Sequence, residues 1–185
     1  MKKVNDRICL GIVSGFVGWV AFDLTDVFLS KKRISKRTYP TIAAGIMVSS
    51  RREAEKWTGQ FLGTLVDIGI CMVGGISMVK ILTTYGRDKL VPKGLFFGIT
   101  FGGVLTAILS KLSNRKVIPN DALSNILYIV SHAVFGLASI FTASKLGDDS
   151  LFDIPPKNDY SKPTKKTTEQ KNELKIIVLN QFIQI

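Results

Sequence analysis

Three carboxylates and one imidazole stand in stretches of this chain that are otherwise apolar: Asp23, Asp26, Asp67 and His132. A carboxyl group held away from water exchanges a proton more readily near neutral pH, and histidine titrates there without help. Together they are the parts of a proton or cation relay. The same residue types also act as interhelical hydrogen-bond glue, worth on average about 0.6 kcal/mol per bond. Glue is the first reading, and a relay is the alternative.

Other chemistry finds few parts. Asp23 and Asp26, three residues apart, share a helix face, but a metal-phosphate site needs further carboxylates. One histidine and two cysteines, Cys9 and Cys71, give neither a structural zinc set nor a disulfide framework. Both cysteines read as small buried hydrophobes. Ser131 precedes His132, yet adjacent helical residues point about 100° apart and cannot form a nucleophile–base pair. No nucleophile elbow, zinc-protease helix, phosphate-binding loop or dinucleotide fingerprint occurs. The expectation is a non-enzymatic protein with no catalytic, cofactor-binding or metal residues.

The elements that must position these groups are long. Of the 185 residues, 46% are hydrophobic and 21% charged, with a mean hydropathy of +0.24. The apolar residues gather in four blocks, at about 8–29, 59–79, 94–109 and 122–143. Each approaches the roughly 17–25 residues that cross a bilayer core as a helix, and none contains proline. A cleavable leader does not explain the first block, because Phe22 and Asp23 follow Ala21 and the apolar run continues. An all-α, four-span membrane bundle over residues 1–146 is therefore expected, followed by a flexible polar tail over 147–185.

At 100° per residue, small residues share one face of each span: Gly11, Gly15 and Gly18; Gly59 and Gly63; Gly94, Gly98 and Gly102; and Gly136 with Asn125, Ser139 and Ala143. Such stripes let helix backbones approach closely. Asp67 and His132 fall on these inward stripes, and Asp23 lies about 60° from the first one. Counted from the span ends that share a membrane side, Asp23, Asp67 and His132 lie roughly 9, 12 and 15 Å deep. An Asp67–His132 pair, extended by Asp23, is the sharpest inference. Asp26, three residues from its span end, is expected to reach water or a loop lysine.

Charge sets the surroundings. There are 25 Lys and Arg against 14 Asp and Glu, a net +11, and the tail from Gly147 is neutral, so the excess lies on residues 1–146. The basic clusters border the spans, which suits anionic lipid headgroups and not nucleic acid. Between the first two spans, Lys31, Lys32, Arg33, Lys36, Arg37, Arg51, Arg52 and Lys56 flank a short apolar stretch, 41–48. A helix lying at the headgroups, with Tyr39, Ile42, Ile46 and Trp57 in the interface, is expected there. Eleven basic residues on the loop side against nine on the other barely orient the chain. The denser flank of the first span places both termini outside the cytoplasm. After the helix-stopping Gly147, Pro155, Pro156 and Pro163 break up the tail, which turns apolar again at 174–185. That end is too short to span and reads equally as a sticky end or a docking segment.

Ser131-His132, Lys145-Leu146-Gly147-Asp148 and Asn158-Asp159-Tyr160 resemble a pattern of small, uncharacterised four-span bacterial membrane proteins. The resemblance covers mostly the fourth span and the early tail. It transfers no activity and no functional residue, and the location expected from the four spans is the cell membrane, as a multi-pass protein. The function expected from the residues is a structural or interaction subunit, with a second copy or another membrane protein as partner; the alternative, from a different class, is a small transporter or ion pathway using Asp67 and His132.

Overall fold

A computed structural model describes residues 3–32, 34–35, 38–112 and 121–152. It contains six α-helices: α1 (Arg7–Lys31), α2 (Tyr39–Ala44), α3 (Arg51–Glu55), α4 (Trp57–Tyr85), α5 (Leu90–Leu112) and α6 (Ala122–Leu146). Four of them, α1, α4, α5 and α6, are long and apolar enough to cross a membrane. They pack as a bundle, and the protein is a multi-pass membrane protein. Side chains such as Leu24, Phe96 and Ile126 are more than half exposed along these helices. In water such a belt would drive association, whereas hydrocarbon solvates it.

Local chemistry sets the helix ends. Asp6 caps α1 by accepting from the Cys9 N–H at 2.6 Å, and Asp121 caps α6 by accepting from Ser124 N–H at 3.1 Å. Ser50 caps α3 in a Ser-x-x-Glu sequence, accepting from Glu53 N–H at 3.3 Å. Gly86 ends α4 with φ 80, a left-handed value that glycine adopts without strain. The third span starts earlier than the sequence boundary at residue 94, because Pro92 is tolerated in a first helical turn whose N–H groups have no intrahelical acceptor.

The glycine stripes lie at the closest approaches. A Cβ on Gly15 would run into the Cys71 carbonyl of α4, and one on Gly75, which pairs with it, into Gly11 and Gly15 of α1. Gly98 and Gly136 do the same between α5 and α6, and Gly94 meets Ile140 and Gly136. Gly11 sits against Ile76, and Gly18 against Ser139 and Phe135. Gly59 and Gly63 serve a different purpose. They do not touch another span but receive the Glu53–Ala54 backbone and the Pro40 carbonyl of the long loop.

That notch corrects the reading of the long loop as a surface helix. Tyr39, Ile42, Ala43 and Ala44 are all buried, with α2 set into the bundle against α4. Two polar ties hold it. The Tyr39 backbone N–H donates to Asp26 Oδ2 at 2.9 Å, and Gln60 of α4 donates to Thr41 Oγ1 at 2.6 Å and to the Ala54 carbonyl at 2.7 Å. Each satisfies a backbone or hydroxyl group that burial would otherwise strand.

The packed domain also runs past Leu146, where the sequence drew its boundary. Val4 and Gly147 form a bridge, with Val4 N–H to Leu146 O at 2.8 Å and Asp148 N–H to Val4 O at 2.9 Å. Asp149 takes Lys3 at 2.8 Å and Arg87 at 2.9 Å, and Arg87 lies over the Phe152 ring. Leu151 and Phe152 join Leu10, Met78, Leu82 and Ile140 in one core cluster at this end. The rest of the tail, including its apolar end at 174–185, lies outside the described residues.

Candidate intramembrane polar site

A second core cluster, at the other end, surrounds the candidate site: Phe22, Tyr39, Ile42, Cys71, Tyr128 and Phe135. Tyr39 stacks on Phe22 at 4.2 Å between ring centroids, and meets Tyr128 edge-on, also at 4.2 Å. Next to these rings is a cavity of about 30 Å3, lined by Asp67, Cys71, Thr106, Tyr128 and His132 together with Tyr39 and Ile42 of α2. A cavity of this size matches about one water molecule, and the few polar side chains in its largely apolar wall are candidate partners for a water or a small cation. Tyr39, Ile42 and Ala43 make α2 part of the cavity wall on the loop side.

His132 is held in one tautomer. Its Nδ1 lies 2.8 Å from the Tyr128 carbonyl, which can only accept, so in the neutral ring Nδ1 carries the hydrogen and Nε2 keeps a lone pair. Gly102 of α5 makes room for the imidazole, since a Cβ there would overlap the ring. Phe22 meets the ring edge at 4.8 Å. The histidine is 8% exposed, so its one polar outlet is the cavity it lines.

The aspartates differ from one another. Asp26 is 2% exposed and bonded to the Tyr39 N–H, which overturns its expected contact with water or a loop lysine. The reason is α2: once the loop turns inward, a backbone donor arrives where the sequence suggested solvent. Asp67 is half-buried in the cavity wall, and no hydrogen bond from the described residues reaches its carboxylate. Asp23, also half-buried, does not line the cavity, though Asp23 and Asp26 both lie within electrostatic reach of Asp67.

Asp67 and His132 therefore share one cavity, with Asp23 outside it. Tyr39, Cys71, Thr106 and Tyr128 are wall residues that sequence reasoning missed. Two of them carried a signal, because Cys71 follows Asp67 by four residues and Tyr128 precedes His132 by four, the spacing of one helix face. Tyr39 carried none. Among the described residues, no three His, Cys, Asp or Glu side chains gather as a metal-binding group.

The class these features define is a four-span membrane bundle with an acidic, aromatic-walled cavity in its interior. No family model matches the chain, and neither a curated protein nor a solved structure is similar to it.

Proposed function

We propose that this is a small ion pathway or transporter of the cell membrane, in which Asp67 and His132 bind and pass on a proton or small cation. One observation carries the reading: Asp67 faces a cavity shared with His132 and takes no hydrogen bond from the described residues. A carboxylate placed in a membrane helix costs about 2.5–3.5 kcal/mol. Interhelical glue would return only about 0.6 kcal/mol, and then only if the bond were made. Asp26 makes such a bond and Asp67 does not, so structure alone gives Asp67 no reason to be an acid.

The sign of charge agrees. Within the four apolar blocks the charged side chains are Asp23, Asp26 and Asp67, with no lysine or arginine among them. An interior with three carboxylates and no fixed cation attracts protons and cations and repels anions. The lone pair on His132 Nε2 adds an acceptor of the same kind.

Reconstitution into liposomes holding a pH-sensitive dye tests this. Under an imposed proton or sodium gradient, protein-containing vesicles are expected to relax faster than empty ones, and His132→Gln to slow them. Relaxation no faster than in empty vesicles rejects the pathway. A second reading, a non-enzymatic interaction subunit partnered by another membrane protein or a second copy, is favoured by the apolar segment 174–185 after a neutral polar stretch. Native mass spectrometry from the source membrane, showing a stoichiometric foreign subunit, would support it. The basic loop faces anionic headgroups in either case. A reporter fused at Ile185 tests the orientation with both termini outside the cytoplasm, and a cytoplasmic signal reverses it.

A further inference from the structure

The polar cavity does not end in solid core. On the side between α4 and α5 it adjoins an apolar groove of about 420 Å3, open to the membrane and lined by Gly69, Ile70, Val73, Phe101 and Leu105. Ile70 and Leu105 line both, so the groove and the site of Asp67 and His132 adjoin at these two side chains. Helix α1 packs on α4 and α6, and α5 packs on α6, while α4 and α5 meet more sparsely, through side chains such as Phe101 against Gly74. Gly69 looks into open space, unlike the glycines at the packed seams.

We propose that the substrate is a long-chain primary amine, with its ammonium in the Asp67–His132 cavity and its alkyl chain in the α4–α5 groove; this rests on the reading of that cavity as a cation site. Three features select the class. The cavity holds about one water, which is the size of an ammonium group and too small for a quaternary head. Its wall includes Asp67 and His132, whose carboxylate and Nε2 lone pair are acceptors for N–H donors, with Tyr39, Tyr128 and Phe22 as aromatic neighbours for a cation. The groove is wholly apolar, lies at bilayer depth and falls within the roughly 300–1,000 Å3 range of ligand pockets, so it takes a chain and no second charge. Three carboxylates nearby, with no lysine or arginine inside the four apolar blocks, disfavour a zwitterionic phospholipid head. An amine reaching the site from within the bilayer would not have to pass α2.

The full chain in lipid nanodiscs, titrated with radiolabelled dodecylamine at pH 7, tests the assignment, since an alkyl ammonium resembles lysine and is protonated there. Saturable binding is expected, with dodecanol and dodecyltrimethylammonium displacing the amine at least tenfold less well. Asp67→Asn and Gly69→Phe should each weaken binding at least tenfold while eluting as folded protein, and Val73→Trp supplies an independent obstruction should Gly69→Phe fail to fold. Lack of saturable binding overturns the proposal. So does equal displacement by dodecanol, which would mark ordinary lipid in the groove, or binding that survives both obstructions. A groove variant that turns a dimer into a monomer without touching amine binding makes the seam a contact between copies and overturns it too. Proton flux in amine-free liposomes separates the two levels: flux without amine binding rejects the amine alone, and loss of both rejects the pathway as well.

Discussion

At the scale of single residues, two aspartates in similar sequence settings have different work. Asp26 holds the Tyr39 N–H and with it the inward position of α2. Asp26→Ala leaves that buried donor unpaired, so unfolding in detergent should show a loss of about 1–3 kcal/mol. Asp26→Asn keeps an oxygen in place and should recover most of it. Asp6, at the membrane edge, is held below the ordinary carboxylate range by the hydrogen bond it accepts from Cys9 N–H. A carboxyl group with a lowered pKa stabilises above its unfolded value, near pH 4, and that contribution fades as pH falls through the folded value. Protection of the amides at the start of α1, read as exchange relative to the intrinsic rate at each pH, should therefore fall on acidification below about pH 4. In Asp6→Asn the extra acid sensitivity should vanish. Asp67 and His132 were legible as membrane-buried ionisable groups from their surroundings in the chain. Asp26 was misread because its partner is a backbone N–H thirteen residues away, a contact with no sequence signature.

At the scale of elements, the four long helices were legible because hydrophobic length is a local property. The glycine faces were legible for the same reason, since a period near four is written in the sequence. Glycine spacing shows that something comes close, not what it is: Gly59 and Gly63 admit α2 and its connection to α3, while Gly15 and Gly75 admit helix backbone. Substitution should separate these cases. Gly75→Val forces α1 and α4 apart and should destabilise the bundle by about 1–3 kcal/mol, read from its unfolding midpoint in detergent. Gly69→Ala, facing open space, should stay within about 0.5 kcal/mol of the parent. The segment α2 was not legible as a buried element. Six residues flanked by lysines and arginines have the composition of a headgroup helix, and their burial depends on Gln60, Asp26 and the glycine notch acting together. Residues 147–152 were likewise read as tail, because the Val4 bridge and the Asp149 ion pairs to Lys3 and Arg87 are contacts between residues far apart in sequence.

At the scale of the whole molecule, the two ends of the bundle are built differently. The end that carries the N-terminus is closed by an aliphatic core, the Val4–Gly147 bridge and the Lys3–Asp149–Arg87 ion pairs. The other end is polar and aromatic inside, walled by α2 towards the loop and bordered by a groove towards lipid. That asymmetry suits a protein whose rigid half holds the helices while its other half admits a cation. The central claim is that Asp67 serves a cation and not the fold, and one variant separates these. Asp67→Asn should be compared with the parent in a single preparation, for unfolding midpoint in detergent and for proton or sodium flux in liposomes. The account predicts an unfolding midpoint that is unchanged or slightly raised, with flux reduced to that of empty vesicles. A lowered midpoint with flux intact would contradict it and make Asp67 a structural residue.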